Sequence, residues 1–503
     1  MISALIDWIV RLRGLIGVLL VACVALSLYA IRTAPLDAIP DTSDPQVIIY
    51  AKWPRSPELL EERVTDPVVR TLIGSPDIRS IRATSHLGYS FIYAILTSTA
   101  RRDTARASIA ERLSSIRQQL PADAVVTVGP NASGIGWIYE YALIDHEQLR
   151  DPREMRLLND NQIKPALQTV PGIAEVASVG GLEKQYQLKV YPPLLTEAGL
   201  SVKQVIDTLQ GALEEAGGRM IEVTNRDYQI RGVVKHANID QLEALVVGHR
   251  RDGRAVLLKD VGYIQVGYDQ RRGIADLDGE GEVVGGIVIM EQSQNALAIT
   301  HALKQRLAEI SASLPEGIEI VPTYDRSELI WGTLRHFLVT LVYELSVVIV
   351  VTVLFLRNAR TALVPVLILL LGVLFTAMPM AAFGQTINLF SLAGLFIAIG
   401  EMVDATIVIV ENCTAELAAH PNAGAEERRR IVLGSIAGVA RPLLFSLLII
   451  LASFLPVFFL SPKEARLFDP LAYSKTFAMA FSTLLTLFLL PILMLWVFRD
   501  QKV

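Results

Sequence analysis

The segment Asn388–Asn412 reads NLFSLAGLFIAIGEMVDATIVIVEN and is long and apolar enough to cross a lipid bilayer. A membrane-spanning helix needs about 20 apolar residues, and a charged side chain at its centre costs about 2.5–3.5 kcal/mol on insertion scales. This segment nevertheless carries Glu401 and Asp404 in its middle and Glu411 near its end. At about 3.6 residues per turn, these positions lie close to one face of a helix. That face is expected to contact protein or water rather than lipid.

The composition is typical of a protein that is part membrane domain and part aqueous domain. The 503 residues are 52% hydrophobic, and the net charge of −5 is spread along the chain. No basic stretch with interleaved aromatic residues occurs, so no nucleic-acid partner is expected. The two cysteines, Cys23 and Cys413, lie in or beside apolar spans and indicate neither a disulfide framework nor a zinc site. No nucleophile–base set or phosphate-binding loop indicates an enzyme.

Apolar segments predict membrane spans before and after a long polar region. Residues 1–33 hold the first span, in which Arg11 and Arg13 precede the uncharged run Gly14–Ile31. A signal peptide is the alternative interpretation, but a retained anchor is preferred because no A-x-A-like cleavage site closes the run. Residues 336–503 hold five more, predicted at Phe337–Leu356, Thr361–Phe383, Asn388–Asn412, Leu443–Leu460 and Thr476–Phe498.

Basic residues orient these spans. With the N-terminus inside, the inner segments carry clusters at Arg11/Arg13, Arg357/Arg360, Arg428–Arg430 and Arg499/Lys502. Cytoplasmic loops are enriched in Lys and Arg, so the N-terminus is placed in the cytoplasm and the polar region on the far side. The segment Ser461–Pro470 is then predicted to be an outer loop. Lys475 would open the last helix, where its long side chain is expected to reach the membrane interface.

The polar region, residues 34–335, is expected to form a water-exposed domain. Residues 34–130 follow the order β-α-β-β-α-β of a ferredoxin-like unit, with strands at Gln46–Lys52, Ile78–Thr84, Ser90–Leu96 and Ala124–Val128 and helices from the N-cap Ser56 to Ile73 and at Thr104–Leu120. Residues 131–181 and 268–335 form a second unit, which residues 182–267 interrupt as a docking-type insertion. The predicted fold class is therefore an α-helical membrane domain plus an α+β periplasmic domain.

Seven stretches resemble the heavy-metal branch of the resistance-nodulation-division (RND) efflux transporters. They are APLDAIPDTSDPQVII (34–49), GPNASGIGWIYEYAL (129–143), VASVGG (176–181), RRGIADLDGEGEVVGGIVIM (271–290), TYDRSELI (323–330), GEMVDATIVIVEN (400–412) and RLFDPLAYSKTFAMA (466–480). The resemblance covers essentially the whole chain. It is closer to the CusA-type copper/silver pumps than to the zinc, cobalt and cadmium pumps, which usually carry an additional Asp where Ala398 stands here.

The resemblance implies a homotrimeric pump of the inner membrane, multi-pass with a large periplasmic domain, that exchanges protons for a transported metal ion. No cofactor is expected beyond that ion. The implied partners are a periplasmic adaptor, an outer-membrane channel and membrane lipid. The resemblance makes Asp404 the proton-relay carboxylate, and it makes Met402 and, less directly, Met479 candidate stepping-stones for a soft metal.

Two departures from the family pattern affect these expectations. A full member has two such halves, and this sequence corresponds to the N-terminal one, so the usual relay lysine and the cleft methionines are expected in a second half. Alone, the chain is expected not to pump, as a truncated or split product or as half of a two-chain transporter. In addition, Glu401 replaces the family's usual small residue, and Phe390 stands where the copper-type pattern can carry another methionine.

The candidate acids have competing interpretations. Proton-driven transport needs a group inside the membrane that holds or releases a proton, and desolvation together with a nearby like charge favours the protonated carboxyl. Asp404 suits this role, with a structural carboxyl as the alternative, and Glu401 is expected to share protons with it as a coupled pair. Glu411 is a relay candidate or a solvated cap near the cytoplasmic boundary. Glu344 is a candidate for gating or proton uptake, or else an interfacial or helix-pairing residue.

The candidate metal ligands also have an ordinary alternative. Thioethers are soft ligands that suit Cu(I) or Ag(I), but methionine is also a routine filler of helix cores. Met402 and Met479 are therefore candidates for transient metal contacts only.

Three functions compete at this stage. The first is half of a proton/metal antiporter that exports Cu(I) or Ag(I) from the periplasm or cytoplasm. The second is a truncated, non-transporting membrane module that acts as a binding or assembly partner. The third is an RND pump for another divalent metal or an organic compound. Asp404 favours transport, because acids inside a membrane are generally functional.

Overall fold

The computed structural model describes residues 2–97, 100–147, 149–213, 217–223, 226–231, 238–250, 253–269, 271, 273–292, 294–356 and 359–498. Two helices open the chain, α1 (Ile2–Arg11) and α2 (Arg13–Thr33). Helix α1 is amphipathic: Ile6 and Ile9 are buried, whereas Trp8 is exposed. Helix α2 carries no charged residue from Gly14 to Ile31, which agrees with the predicted first span.

The next part of the chain forms a four-stranded antiparallel sheet covered by helices. Its elements are β1 (Gln46–Lys52), α3 (Pro57–Leu60), α4 (Asp66–Leu72), β2 (Ile78–His86), β3 (Tyr89–Leu96), α5 (Arg102–Ser115) and β4 (Val125–Val128). A π-helical turn joins α3 to α4, and the Ser56 hydroxyl accepts a hydrogen bond from the Leu59 amide at 3.4 Å, as the predicted N-cap requires. The strand order is β2-β3-β1-β4. Alternate residues of β1, such as Val47 and Ile49, face the core beneath the helices.

A second sheet begins with β5 (Ala132–Asp145), α6 (Pro152–Leu158), α7 (Lys164–Gln168) and β6 (Ile173–Val179). The chain then leaves it for a separate small core. That part contains β7 (Lys184–Val190), α8 (Pro192–Ala198), α9 (Val202–Leu213), β8 (Gly217–Val223), β9 (Arg226–Arg231), α10 (Ile239–Glu243), β10 (Val246–His249), β11 (Ala255–Leu257), α11 (Leu258–Val261) and β12 (Gly262–Tyr268). The sequence also predicts a helix at Val202–Glu215 and a strand at Tyr228–Val234 in this part, and the last residues of both ranges lie outside the described residues.

The chain returns to the second sheet with β13 (Val284–Glu291), α12 (Ala296–Ser311) and β14 (Ile318–Asp325). The strand order of this sheet is β14-β5-β13-β6, and every pairing is antiparallel. Numbered within each unit, both sheets have the same order, 2-3-1-4. The segment between β6 and β13 is therefore an insertion between the second and third strands of the second unit.

The remaining chain is helical: α13 (Arg326–Leu356), α14 (Ala359–Ala382), α15 (Leu389–Ala419), α16 (Ala425–Ser453), α17 (Pro462–Phe488) and α18 (Leu490–Val497). Among the described residues, six helices are long and apolar enough to cross a membrane by length and composition, namely α2 and α13 to α17. Helices α14, α15 and α17 form the centre of the bundle.

Two stretches between the predicted spans are largely helical. The polar stretch Cys413–Arg441 belongs to α15 and α16, which are separated only by residues 420–424, and the predicted outer loop Ser461–Pro470 is the start of α17. Ser461 caps α17, since its amide and hydroxyl both donate to the Glu464 carboxylate, at 3.2 and 2.7 Å. Hydropathy marks the part of a helix that lies in lipid, whereas caps mark where the helix begins. This difference moves the start of the last long helix outward by more than three turns.

Candidate functional site

Helix α15 carries the acids and is anchored at its outer end. The Asn388 side chain accepts hydrogen bonds from the amides of Phe390 and Ser391, each at 3.0 Å, so the first turn is capped. The segment after α2 is tied to the same end, because the Asp37 amide donates to the Ile387 carbonyl at 3.1 Å. The outer end of α15 is therefore held against the segment that follows α2.

One face of α15 is exposed in this chain. Ile397, Gly400, Asp404, Val408 and Glu411 follow at helical spacing and are all exposed; they are called the exposed stripe below. Among the described residues, neither Asp404 nor Glu411 has an ion pair or a side-chain hydrogen bond. The sequence predicted that this face would not point at lipid. Two carboxylates on one face of an apolar helix are unfavourable in contact with lipid, so protein or water is expected to contact this stripe.

Glu401 lies beside the exposed stripe and has a partner that sequence reasoning missed. The Lys475 ammonium donates to Glu401 Oε1 at 2.9 Å, and the Lys475 side chain is only 3% exposed. The same ammonium lies 3.4 Å from the centroid of the Phe454 ring. The interpretation of Lys475 as an interfacial residue was therefore wrong. Lys475 stands thirteen residues after Pro462, about 20 Å along α17 at 1.5 Å per residue, and not in its first turn.

A signal for this pair was present in the sequence. A lysine within a spanning helix is by default functional or paired, but the span is predicted to begin at Thr476, which places Lys475 at the membrane interface. With the start of α17 at Pro462, a charge on α15 and a charge on α17 come together inside the bundle. Glu401 is thus a partner of Lys475, and its proton sharing with Asp404 stays a prediction.

On the described membrane helices, two carboxylate oxygens are buried without a hydrogen-bond partner, Glu401 Oε2 and Glu344 Oε2. Glu344 lies on α13, whereas Glu401 lies on α15. A buried polar atom without a partner costs about 1–3 kcal/mol. Both atoms therefore mark places where a proton, a water molecule or another chain would be stabilising.

Met402 and Met479 meet in one buried apolar cluster between α15 and α17. Each is only 1% exposed, and the cluster also contains Ala398, Ala405 and Ala478. Their sulfurs have no described access to solvent in this conformation. Among the described residues no group of three His, Cys, Asp or Glu side chains is arranged to hold a metal. The role of the two thioethers in metal transfer stays a prediction.

Two glycines allow these helices to come close together. A Cβ on Gly394 would lie 2.1 Å from Ser474 Oγ and 2.4 Å from the Leu471 carbonyl oxygen, so α15 and α17 touch there. A Cβ on Gly372 of α14 would lie 2.3 Å from Met402 Cε. Small residues permit close approach of helix backbones in membranes. The two contacts determine how α14, α15 and α17 pack, and hence that Glu401 meets Lys475.

A buried ion pair joins the membrane helices to the outer domain. Arg326, the first residue of α13, is 4% exposed on its side chain, and its Nε lies 2.7 Å from Asp37 Oδ1. Its Nη1 also donates to the carbonyls of Ile135 and Trp137 on β5. Burial raises the pKa of Asp37, and the charge of Arg326 opposes that rise only in part. Movement of α13 is thereby linked directly to the second sheet.

The chain is similar to proteins named for metal efflux. Residues 5–503 match the profile of the AcrB/AcrD/AcrF family. The chain is 40% identical to the "Cation efflux system protein CusA" of Escherichia coli (strain K12), over 97% of this chain and 48% of that protein. It is 39% identical to the "Putative cation efflux system protein SilA" of Salmonella typhimurium, over the same shares. It is 30% identical to the "Cobalt-zinc-cadmium resistance protein CzcA" of Cupriavidus metallidurans, over 98% of this chain and 47% of that protein.

A solved structure has the same fold. The X-ray crystal structure of a heavy metal efflux pump, in its crystal form II, superposes with a TM-score of 0.83 at 28% sequence identity, over 97% of this chain and 48% of that one. The common fold combines a helical bundle with mixed α/β layers. The chain spans about half the length of the curated relatives it matches.

Proposed function

Because this chain belongs to the AcrB/AcrD/AcrF family of RND transporters, we propose that it is the N-terminal half of a proton-driven pump that exports a heavy metal, with Cu(I) or Ag(I) as substrate. It is a multi-pass protein of the inner membrane with a large periplasmic domain. It belongs to a transporter family rather than to an enzyme family.

The observation that carries the proposal is the exposed stripe on α15. Asp404 stands in the middle of an apolar helix, exposed in this chain and without a described partner. A carboxylate there is costly in lipid, so a covering surface with a complementary charge is needed. The matched relatives are about twice as long as this chain, and a second half of that length would supply the cover. Asp404 then acts as the relay carboxylate at the interface of the halves.

Glu401 and Lys475 give this relay a charged neighbour. When Asp404 loses its proton, the net charge of Asp404, Glu401 and Lys475 changes from zero to −1. Charges at close range inside a bundle interact strongly, since the effective dielectric is low. The proposed role of the Glu401–Lys475 pair is to hold fixed charges beside the relay, since Glu401 stands three residues before Asp404 on α15. Glu411 and Glu344 are proposed as further stations, toward the cytoplasmic and outer sides respectively.

The architecture is proposed in more detail as six membrane spans, two ferredoxin-like porter units and a docking insertion. The porter units are residues 34–130 and residues 131–181 with 268–335, and the insertion is residues 182–267. The identical strand order of the two sheets supports this division. The separate core of the inserted segment, built around Val205, Val247 and Leu258, supports treating the insertion as its own module.

The metal is proposed from the relatives and from the donor atoms. The two most similar relatives quoted above are 39–40% identical, whereas the cobalt-zinc-cadmium relative is 30% identical. Met402 and Met479 offer soft thioethers, which favour Cu(I) or Ag(I) over hard cations. Partners proposed by family likeness are two further copies of the chain in a trimer, a periplasmic adaptor and an outer-membrane channel.

Metal resistance of cells tests the proposal. Copper- and silver-sensitive cells would carry the chain together with its second half, with Asp404→Asn as the test variant. Glu426→Gln, an exposed acid-to-amide change in the first turn of α16, is the matched control. We expect Asp404→Asn to abolish resistance and Glu426→Gln to keep it, at equal amounts of protein in the membrane. If cells with Asp404→Asn kept full resistance, Asp404 would not be part of the relay. If cells with the unaltered chain and its second half resisted neither copper nor silver, the copper/silver assignment would be refuted.

A further inference from the structure

A basic cavity lies at the cytoplasmic end of the bundle, away from the relay. Its volume is about 610 Å³, and it lies where α1 meets α2, α16 begins and α18 ends. Four arginines line it, Arg11, Arg13, Arg428 and Arg429. The exposed Glu426 and Glu427 in the first turn of α16 are not among the lining residues.

The opposite wall of the cavity is apolar. It is formed by Val10 of α1, Val432 of α16, Leu495 of α18 and Phe498, which follows α18. A cavity with cations on one side and aliphatic and aromatic side chains on the other fits a molecule that carries both a negative group and a hydrocarbon part. Its size lies within the usual range of ligand pockets, about 300–1,000 Å³.

The level of the cavity in the membrane is marked by α1. Ile6 and Ile9 are buried against the bundle, and the Trp8 ring is 56% exposed. Tryptophan concentrates at the headgroup level of membranes, and an amphipathic helix of this kind lies in the interface plane. Because Val10 and Arg11 follow Trp8 in the same helix, the cavity lies at the level of the inner-leaflet headgroups.

The charges of Arg11, Arg13 and Arg429 are available for a ligand. Within the described part of the chain, no ion pair involves Arg11, Arg13 or Arg429, and Arg428 Nε donates to the Ala423 carbonyl at 2.9 Å, which holds it over the start of α16. Guanidinium groups form bidentate hydrogen bonds with phosphate oxygens. Basic pockets between membrane helices on the cytoplasmic side suit anionic phospholipid headgroups.

We propose that this cavity binds one anionic phospholipid of the inner leaflet, with its phosphate between Arg11 and Arg429 and an acyl chain along Val432 and Leu495. The lipid joins α1, α16 and α18, which the protein itself connects at this end mainly by apolar packing. The proposal does not depend on metal transport, since it concerns lipid binding by this chain alone.

Native mass spectrometry of the purified chain tests the proposal. The detergent-solubilised chain would be titrated with phosphatidylglycerol and with phosphatidylcholine of the same acyl chains, and retained lipid would be counted after mild activation. We expect one phosphatidylglycerol to bind more tightly than phosphatidylcholine. Arg429→Gln should weaken phosphatidylglycerol binding about fivefold, and Arg11→Gln with Arg429→Gln about thirtyfold, from the attraction typical of each basic residue near an anionic surface.

Arg430→Gln is the matched control, since Arg430 is the exposed neighbour of Arg429 on the same helix and does not line the cavity. It should leave phosphatidylglycerol binding unchanged. Equal weakening by Arg429→Gln and Arg430→Gln would overturn the site in favour of general surface attraction, and no weakening by either would overturn it outright. Glycerol phosphate, which lacks acyl chains, is the second arm: if it displaced the lipid at equal concentration, the cavity would be a phosphate site and not a lipid site. Unchanged helicity and phosphatidylcholine retention identify variants that remain folded.

Discussion

The Glu401–Lys475 pair gives the sharpest test of the membrane packing. The pair joins α15 to α17 at 2.9 Å, with 3% of the lysine side chain and 31% of the glutamate side chain exposed. Removal of one partner of a buried ion pair costs about 3–5 kcal/mol, because it leaves the other charge without compensation. Lys475→Met is expected to destabilise the chain by about 3 kcal/mol, the lower limit of that range, because the Glu401 side chain is partly exposed. Glu401→Gln is expected to cost a similar amount, because the Phe454 ring compensates the buried ammonium by only about 0.5–2 kcal/mol.

The double variant separates this pair from its parts. With Glu401→Gln and Lys475→Met together, no charge remains to be stabilised, and the loss should fall to about 1 kcal/mol or less, since apolar replacement of a buried pair is often neutral. The coupling free energy, which is the sum of the two single losses minus the double loss, is then about 5 kcal/mol or more. The assay is reversible unfolding of the chain in mixed micelles, followed by circular dichroism.

An exposed ion pair in the same chain supplies the control. Arg306 and Glu309 on α12 lie 2.7 Å apart, and their side chains are 39% and 65% exposed. Exposed pairs couple by about 0.2–1 kcal/mol. If the losses of stability in Glu401→Gln and Lys475→Met summed to the loss in the double variant within about 0.5 kcal/mol, the two charges would not interact inside the bundle. The packing of α17 on α15 would then be refuted.

Three further predictions concern packing, pH and the metal. Gly394→Ala should destabilise the chain by about 1–3 kcal/mol, because its Cβ meets a backbone carbonyl, whereas Gly434→Ala, with nothing within 4 Å, should be neutral or stabilising in the same unfolding assay. Burial opposes ionisation of Asp325, but hydrogen bonds from Lys304 and Ser327 and the Lys304 charge hold its pKa below the ordinary 3.8. The stability that ionised Asp325 contributes is therefore complete above pH 3.8 and is lost as pH falls through its lower pKa in the folded state. Lys304→Gln should remove part of this acid sensitivity in unfolding curves measured between pH 2.5 and pH 5. An identical acid sensitivity in the variant would contradict the assignment. Met402→Leu should change stability by less than about 1.5 kcal/mol and reduce copper resistance of the chain with its second half; unchanged resistance would leave Met402 as a core residue only.

Much of the local structure follows from the sequence. Strand β1 has the predicted bounds Gln46–Lys52, and Ser56 caps the following helix as predicted. Period-two alternation and an N-cap are local signals, because each depends on residues within one element. The family resemblance also follows from the sequence alone and is confirmed over residues 5–503.

The ends of the membrane helices were less well predicted. A polar residue is compatible both with a loop and with the part of a long helix that extends beyond the lipid. The sequence therefore predicts a loop at the polar start of α17. The cap formed by Ser461 and Glu464 was visible in the sequence, but the weaker hydropathy of this stretch outweighed it. Because the predicted start of this helix is too late in the chain, the sequence prediction did not place Lys475 inside the bundle.

By itself, the sequence determined that α15 is a spanning helix with acids near one face, because hydropathy and helical spacing are properties of a single segment. Only the tertiary structure decided that Glu401 meets Lys475 while Asp404 remains on the exposed stripe. The physical reason is that the rotation and separation of two helices depend on contacts between residues far apart in the chain. Here the hydrogen bond from Asp37 to Ile387 holds the outer end of α15, and the close approach of Gly394 to Ser474 and Leu471 sets its distance from α17.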